Sequence, residues 1–135
     1  MNMAPYLNFN GDCEAAFQLY QTTFSGKLGD LFRYAGSPME KDVPADWRNK
    51  IMHGSVTVMG QSLMGADNPP GQYEQPKGFS LALHMTSVED AERIFRALAD
   101  GGKVAVPLAK TFWAERFGMV TDRFGIPWAI NCEAH

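Results

Sequence analysis

Two stretches decide the fold: YLNFNGDCEAAFQLYQTTFSGKL at residues 6–28 and LALHMTSVEDAERIFRALADGGKV at residues 81–104. Each begins with a short strand-like run and continues, after a break, with apolar residues at helical spacing that end near a glycine. In the first stretch Asp12 stands in the position of an N-cap. In the second, Thr86 and Glu89 have the spacing of a capping box. We therefore expect the same strand–helix–strand unit twice.

A hairpin follows each of these units. The segment VTVMGQSLMGA (residues 56–66) turns at Met59-Gly60, and VTDRFGIPWAI (residues 120–130) turns around Arg123-Phe124-Gly125. Short strands joined by a tight turn containing glycine are typical of β-hairpins. The order of elements in each half is then βαβββ, and such an internal repeat is a strong indication of architecture.

The repeat predicts an α+β protein whose two βαβββ modules form a curved mixed sheet with the helices on its outer face. Each half is too small to be stable alone, so we expect a single domain over residues 1–135. Its modules would cover about residues 1–67 and 78–135, joined by the Pro/Gly-rich loop at residues 68–77.

Composition excludes several classes of protein. The 135 residues include 12 Lys and Arg against 15 Asp and Glu, with no basic run, so we expect no nucleic-acid partner. No apolar run reaches the roughly 18–20 residues of a membrane span, and the N-terminus lacks a secretory pattern. Two cysteines, Cys13 and Cys132, cannot form a disulfide framework. A reducing, cytoplasmic location is therefore expected.

Strand alternation assigns side chains to the two faces of the sheet. In the fifth strand the leucines are expected to face the helix, which leaves Ser80 and His84 on the concave face. A two-residue turn in the first hairpin sets Ser55 opposite Met64, and His53 then lies on the same face.

The predicted concave face mixes apolar and small polar groups, as ligand clefts do. We expect it to bind a small, partly apolar organic molecule without a metal. The imidazoles would orient ligand oxygens, and an aromatic residue and a carboxylate in the loop before the second hairpin would form the rim. The predicted ligand-binding residues are His53, Ser55, Met64, Ser80, His84, Trp113 and Glu115.

Three stretches carry a resemblance to a known family: PYLNFNGDCEAAFQLYQTTFSG, IMHGSVTVMGQSLMGAD and KTFWAERFGMVTDRFGIPWAIN, at residues 5–26, 51–67 and 110–131. The chain resembles the PhnB-like group of the vicinal oxygen chelate superfamily, which includes glyoxalases, bleomycin-resistance proteins and ring-cleaving dioxygenases. The resemblance implies the paired-module fold and a homodimer. Some members of the group carry the label demethylubiquinone methyltransferase, and bleomycin-sequestering relatives bind a ligand without catalysis.

In the metal-dependent members of the superfamily, His and Glu at four strand positions hold the cation. The resemblance places Pro5, Met64, Ser80 and Ala129 at those positions, and none has a side chain suited to a divalent cation. We therefore expect neither a metal nor a cofactor. A methyltransferase is also not expected, since no glycine-rich strand-to-helix turn of the GxGxxG type occurs.

Two other functions stay open at this point. One is a lyase, isomerase or transferase in which His53, His84 and Glu115 supply acid–base chemistry or a two-histidine, one-carboxylate metal site. His135 is the third histidine, and Cys13 is either a nucleophile in the first turn of a helix or a small packed residue. The other is an interaction module without a ligand. The sequence leaves open whether one chain or two build the cleft.

Overall fold

The order of elements along the chain repeats in its two halves. In the computed structural model, which describes residues 1–133, one compact unit covers Met1–Gln75 and a second covers the described residues from Pro76 onward. Each contains one helix and a four-stranded mixed sheet in the order βαβββ, so the predicted α+β class is confirmed. Ala134 and the histidine after it lie outside the described residues.

In unit 1, four strands carry one helix on one face. The strand order is β1-β4-β3-β2, with β1 parallel to β4 and the other neighbours antiparallel. Apolar side chains of β3 and β4 alternate toward the helix and are buried there, as the alternation predicts. The elements are β1 (Tyr6–Phe9), α1 (Cys13–Phe24), β2 (Lys27–Arg33), β3 (Ile51–Val58) and β4 (Gln61–Asp67), with short 3-10 turns at Glu40–Asp42 and Ala45–Trp47.

The first hairpin has the predicted register. Val58 pairs with Gln61 and Ser55 with Met64 across a two-residue turn. Met59 and Gly60 at that turn have φ angles of 51° and 74°. Two consecutive positive φ angles are typical of the type I′ turn, whose twist matches that of the flanking strands.

A buried carboxylate holds unit 1 together at the end of β4. Asp67 Oδ1 accepts hydrogen bonds from the backbone N–H groups of Gly11 (3.0 Å) and Cys13 (2.9 Å), and Oδ2 accepts one from Ile51 N–H (2.9 Å). The Tyr34 hydroxyl donates to the backbone oxygen of the same aspartate at 2.7 Å. One residue therefore joins the start of α1, the start of β3 and the segment after β2.

Unit 2 follows the same plan. Its strand order is β5-β8-β7-β6, with β5 parallel to β8. Leu83 of β5 and Trp128 and Ile130 of β8 are buried, whereas His84 is exposed, so the predicted assignment of faces is confirmed. The elements are β5 (Leu81–Met85), α2 (Val88–Ala99), β6 (Lys103–Ala109), β7 (Ala114–Thr121) and β8 (Pro127–Glu133).

A second buried carboxylate, that of Asp122, accepts hydrogen bonds within the VTDRFGIPW segment of the second hairpin. Asp122 Oδ1 accepts hydrogen bonds from Phe124 N–H (2.9 Å) and Ile126 N–H (3.0 Å). Its Oδ2 accepts one from Trp128 Nε1–H at 2.9 Å, in the core. The same carboxylate thus closes the turn and holds the indole ring of Trp128. This packing role explains the spacing between the aspartate, the turn and the tryptophan.

An ion pair between helix and strand occurs in both units. In unit 1, Arg33 of β2 makes two hydrogen bonds to Glu14 of α1, at 2.9 and 3.2 Å, and donates to the backbone oxygen of Asn49 at 2.7 Å. The bonded guanidinium lowers the pKa of the Glu14 carboxyl. In unit 2, Arg116 Nε lies 3.2 Å from Glu92 Oε1 of α2. Each pair stands where a helix crosses its own sheet.

Of two predictions about helix starts, the N-cap position of Asp12 is confirmed without a capping hydrogen bond from its side chain, and the capping box at Thr86 is wrong. Asp12 occupies the N-cap position of α1, but the oxygen that bonds the first turn belongs to Asp67 from β4. At the start of α2 the N-cap is Ser87, whose hydroxyl accepts from Asp90 N–H at 3.1 Å, and not Thr86. A carboxylate distant in sequence replaces the local cap in the first case, and the helix begins one residue later in the second.

One of the two edge strands of each sheet is paired irregularly. In β2 the pairing with β3 shifts between Leu28 and Leu31 and again between Phe32 and Arg33. In β6 the pairing with β7 shifts twice as well, and Pro107 lies within the strand. Both are edge strands in their sheets. The opposite edge strands, β1 and β5, pair without such shifts.

Asp67→Ala is expected to lower the free energy of unfolding by about 3–5 kcal/mol, because three buried N–H donors lose their charged acceptor. Urea denaturation followed by circular dichroism measures the change. Asp30→Ala, at an exposed position of β2, is the matched control and should change stability by less than about 0.5 kcal/mol. Equal stability of the two variants would contradict the role given to Asp67.

Candidate functional site

The face of the unit 1 sheet opposite α1, here called the helix-free face, holds three of the predicted site residues. His53 and Ser55 of β3 project from it, and Met64 of β4 lies directly opposite Ser55. All three are partly exposed. The structure therefore brings these residues together as predicted.

Two aromatic residues extend this group. Tyr6 pairs with Met64 across the parallel ladder, and Phe32 of β2 pairs with His53, so both rings lie on the helix-free face. The Tyr6 hydroxyl lies 3.3 Å from His53 Nδ1, with the two ring centroids 5.8 Å apart. The Phe32 and His53 rings are stacked at 6.4 Å with an angle of 23°. Tyr6, His53 and Phe32 are called the ring cluster below.

The ring cluster is accessible even though it is built from aromatic groups. Tyr6 is 49% exposed and Phe32 is 52% exposed. Partial burial, with a smaller effect of a thiolate at Cys13, raises the pKa of the Tyr6 phenol, so the hydroxyl is protonated near neutral pH. The cluster thus presents apolar ring faces beside a hydroxyl and an imidazole.

Sequence reasoning missed both aromatic members of this cluster. The alternation of Tyr6 and Asn8 with the buried Leu7 and Phe9 contains the information needed to place Tyr6. No comparable signal exists for Phe32, because its side depends on two shifts in the pairing of β2.

In unit 2, the sheet face opposite α2, also called helix-free, carries His84. His84 of β5 lies opposite Asn131 of β8, and Ser80 comes directly before the strand. Phe117 of β7 also pairs with Asn131 and packs against Trp113, with centroids 5.4 Å apart. The predicted rim residue Trp113 therefore contacts the sheet through Phe117.

Glu115 is not in a loop, and that prediction is wrong. It lies in β7, at the pairing shift between Ala114 and Arg116. Its Oε1 is 3.8 Å from Lys110 Nζ. Burial, followed by the charge of Glu115, raises the pKa of the Cys132 thiol, and Cys132 is fully buried. The strand extends further toward Trp113 than the local sequence pattern indicates.

The register shows which positions of the two units correspond among Pro5, Met64, Ser80 and Ala129. Met64 lies opposite Tyr6 in unit 1, and Ala129 lies opposite Ala82 in unit 2, so these two positions correspond. Pro5 directly precedes Tyr6, whereas Ser80 stands two residues before Ala82. Pro5 therefore does not match Ser80, because an extra residue separates β1 from its helix.

The donor chemistry at these positions does not fit a divalent cation. Met64 offers a thioether and Ala129 a methyl group, where imidazole or carboxylate would be needed. Within either unit, over residues 1–133, no three His, Cys, Asp or Glu side chains are grouped as metal ligands would be. These side chains therefore assign no reaction step to a metal.

Cys13 is a packed residue and not an activated nucleophile. Its side chain is fully buried beside the sheet. Burial raises the pKa of its thiol, and the charges of Asp67, Asp12 and Glu14 raise it further. Burial, together with these carboxylates, thus favours the neutral thiol although Cys13 stands in the first turn of a helix.

Comparison with known proteins agrees with the fold. The repeated βαβββ unit is the architecture of the vicinal oxygen chelate superfamily. A glyoxylase/bleomycin resistance protein/dioxygenase domain from Frankia sp. EAN1pec has this fold at 12% identity, with a TM-score of 0.68 over 99% of this chain and 98% of that chain. A PhnB protein from Bacillus cereus, 22% identical, has a TM-score of 0.84 over 98% of this chain and 99% of that chain. At these identities the likeness concerns the fold alone.

The chain belongs to the family whose model is described as 3-demethylubiquinone-9 3-methyltransferase, which matches residues 1–131. It is similar to PA1353 from Pseudomonas aeruginosa, at 47% identity and a TM-score of 0.88 over 98% of each chain. It is also 36% identical to YjdN from Escherichia coli K12, over 97% of this chain and 95% of YjdN. The resemblance to PhnB-like proteins is confirmed.

The raised pKa of Cys13 has a consequence for pH dependence. The folded state favours the neutral thiol, so this contribution to stability is complete below the ordinary thiol pKa and is lost as the pH rises above it. Between about pH 8 and pH 10, the free energy of unfolding of Cys13→Ala should fall less than that of the unaltered protein.

Iodoacetamide should modify Cys13 quickly in urea and very slowly in the folded protein. Fast modification of the folded protein would restore the nucleophile hypothesis.

Proposed function

We propose that this protein binds a small, partly apolar organic molecule on the helix-free faces of its sheets, without a metal. The observation that carries the proposal is the grouping of His53, Ser55 and Met64 on one face beside two accessible aromatic rings. Apolar area with a few orienting polar groups is the usual composition of ligand sites. An imidazole, a hydroxyl and a thioether supply that composition in unit 1.

The roles follow from the chemistry of each side chain. His53 and His84 orient ligand oxygens, and Ser55 and Ser80 supply short-range hydrogen bonds. Met64 offers a flexible, polarisable apolar surface. Trp113, packed on Phe117, adds stacking area, and Glu115 stands at the edge of that group with Lys110.

Methyl transfer is not part of the proposal, although the family description names it. A nucleotide-like cofactor commonly uses free N–H groups at the start of a helix after a glycine-rich turn. Here the N–H groups of Gly11 and Cys13 bond the carboxylate of Asp67. These two N–H groups are therefore already bonded within the protein.

A ligand screen by thermal unfolding tests the proposal on chelator-treated protein. A true ligand at about 100 times its Kd should stabilise the fold by roughly 2.7 kcal/mol. His53→Ala and Met64→Ala should abolish the shift, whereas Glu89→Ala on exposed α2 should keep it. No shift with any compound would favour an interaction module.

Metal analysis of protein purified without chelator tests the metal-independent part. We expect no stoichiometric divalent cation. A stoichiometric cation that disappears in His53→Ala or His84→Ala would contradict this and favour the acid–base or metal-dependent enzyme.

We further propose that the protein is a cytoplasmic homodimer. Two buried, free cysteines support a reducing location. Neither helix of the described residues has the length and apolar character needed to cross a membrane. Phe112 is 97% exposed beside the half-exposed Trp113, and aromatic side chains are enriched where protein surfaces associate.

Light scattering of the purified protein should give twice the chain mass of 15.0 kDa. The double change Phe112→Ser and Trp113→Ser should shift the mass toward one chain. Met59→Ser, at a 50% exposed position in a turn, is the control and should leave the dimer intact. A monomer at all concentrations of the unaltered protein would overturn the assignment.

A further inference from the structure

We infer that the ligand of unit 1 is a planar, conjugated ring compound that carries an oxygen acceptor at its edge. The inference rests on the proposed function and names the chemical class that the ring cluster selects. It is argued from the geometry of Tyr6, His53 and Phe32.

The first step concerns shape. His53 makes ring contacts with both Tyr6 and Phe32, with angles between the ring planes of 31° and 23°. The three rings therefore form a series on one face of the sheet, with His53 between Tyr6 and Phe32, and a flat ligand can stack on the ring at either end. Aromatic rings prefer offset stacking on other flat rings, and such pairs stabilise beyond simple burial of area.

The second step concerns exposure. Tyr6 and Phe32 are each about half exposed, although the apolar core of unit 1 lies on the other face of the same sheet. These two rings therefore add little to the packing around α1. A flat ligand laid on the cluster would bury the exposed ring surface and gain its hydrophobic free energy.

The third step concerns polarity. When the Tyr6 hydroxyl donates to His53 Nδ1 across their 3.3 Å separation, the neutral imidazole carries its proton on Nε2. Nε2–H is then a donor for a ligand oxygen, such as a carbonyl or phenolic oxygen at the edge of a ring. A purely hydrocarbon ring would leave this donor without its partner, at a cost.

Unit 2 offers an internal comparison. Gly54 and Gly118 occupy corresponding places in β3 and β7, opposite Gly65 and Ile130, and the residues before them are His53 and Phe117. Each unit therefore carries a ring at this place, but only the ring in unit 1 has nitrogen atoms. At this place in the sheet, the ring of unit 1 therefore offers a hydrogen-bond donor and the ring of unit 2 does not.

Three matched probes test the inference by NMR titration: beta-naphthol, naphthalene and decahydro-beta-naphthol. The second lacks the oxygen, and the third keeps the oxygen but is not planar. We expect beta-naphthol to bind at least about tenfold more tightly than either, which corresponds to about 1.4 kcal/mol. Ring-proton shifts of Tyr6 and Phe32 should report the binding.

Variants separate the two requirements. Phe32→Leu should weaken beta-naphthol binding about tenfold by removing a ring, and Phe79→Leu is the matched control because Phe79 is 51% exposed outside the cluster. His53→Phe should reduce beta-naphthol to the affinity of naphthalene, because the ring stays and the donor is lost. Tyr6→Phe tests the hydroxyl alone.

The outcomes distinguish this inference from the proposed function. If decahydro-beta-naphthol binds as tightly as beta-naphthol, or if Phe32→Leu has no effect, the planar class is wrong although the site still binds a ligand. The class is also wrong if no probe binds while another compound in the thermal screen depends on His53. If nothing binds in either experiment, both proposals are wrong.

Discussion

The carboxylate of Asp67 is the interaction on which unit 1 depends. Its two oxygens hold the start of α1 and the start of β3 at fixed distances from the end of β4. His53 follows Ile51 by two residues, and Tyr6 lies on the strand that leads into the same helix. A buried carboxylate is stable only when its oxygen atoms accept hydrogen bonds. The start of α1 and the start of β3 therefore cannot move far from the end of β4. The geometry of the ring cluster is therefore set from the opposite side of the sheet.

Local patterns in the sequence predict much of this structure because short-range rules govern it. A two-residue turn fixes the register of a hairpin, and that register alone places Ser55 opposite Met64. Alternation then separates the side chains that pack under a helix from those on the other face. The buried Leu83 and the exposed His84 follow this rule in β5.

The remaining features depend on contacts that are distant in sequence. Asp67 bonds Cys13 N–H across 54 positions, and nothing near α1 indicates that its cap comes from β4. The side on which Phe32 projects is set by shifts in the β2 pairing, and Glu115 lies at a similar shift in β7. A shift of one residue reverses every later side chain, so alternation alone cannot locate Phe32.

The irregular outer strands affect how the protein behaves at high concentration. An edge strand with a regular ladder is a template on which another chain can add a strand, and repeated addition produces fibrils. In β2 and β6 the interrupted spacing of N–H and C=O groups, together with Pro107, prevents such continuous addition. At these two edges, accessible side chains such as Phe32 can then serve recognition without offering another chain a continuous ladder.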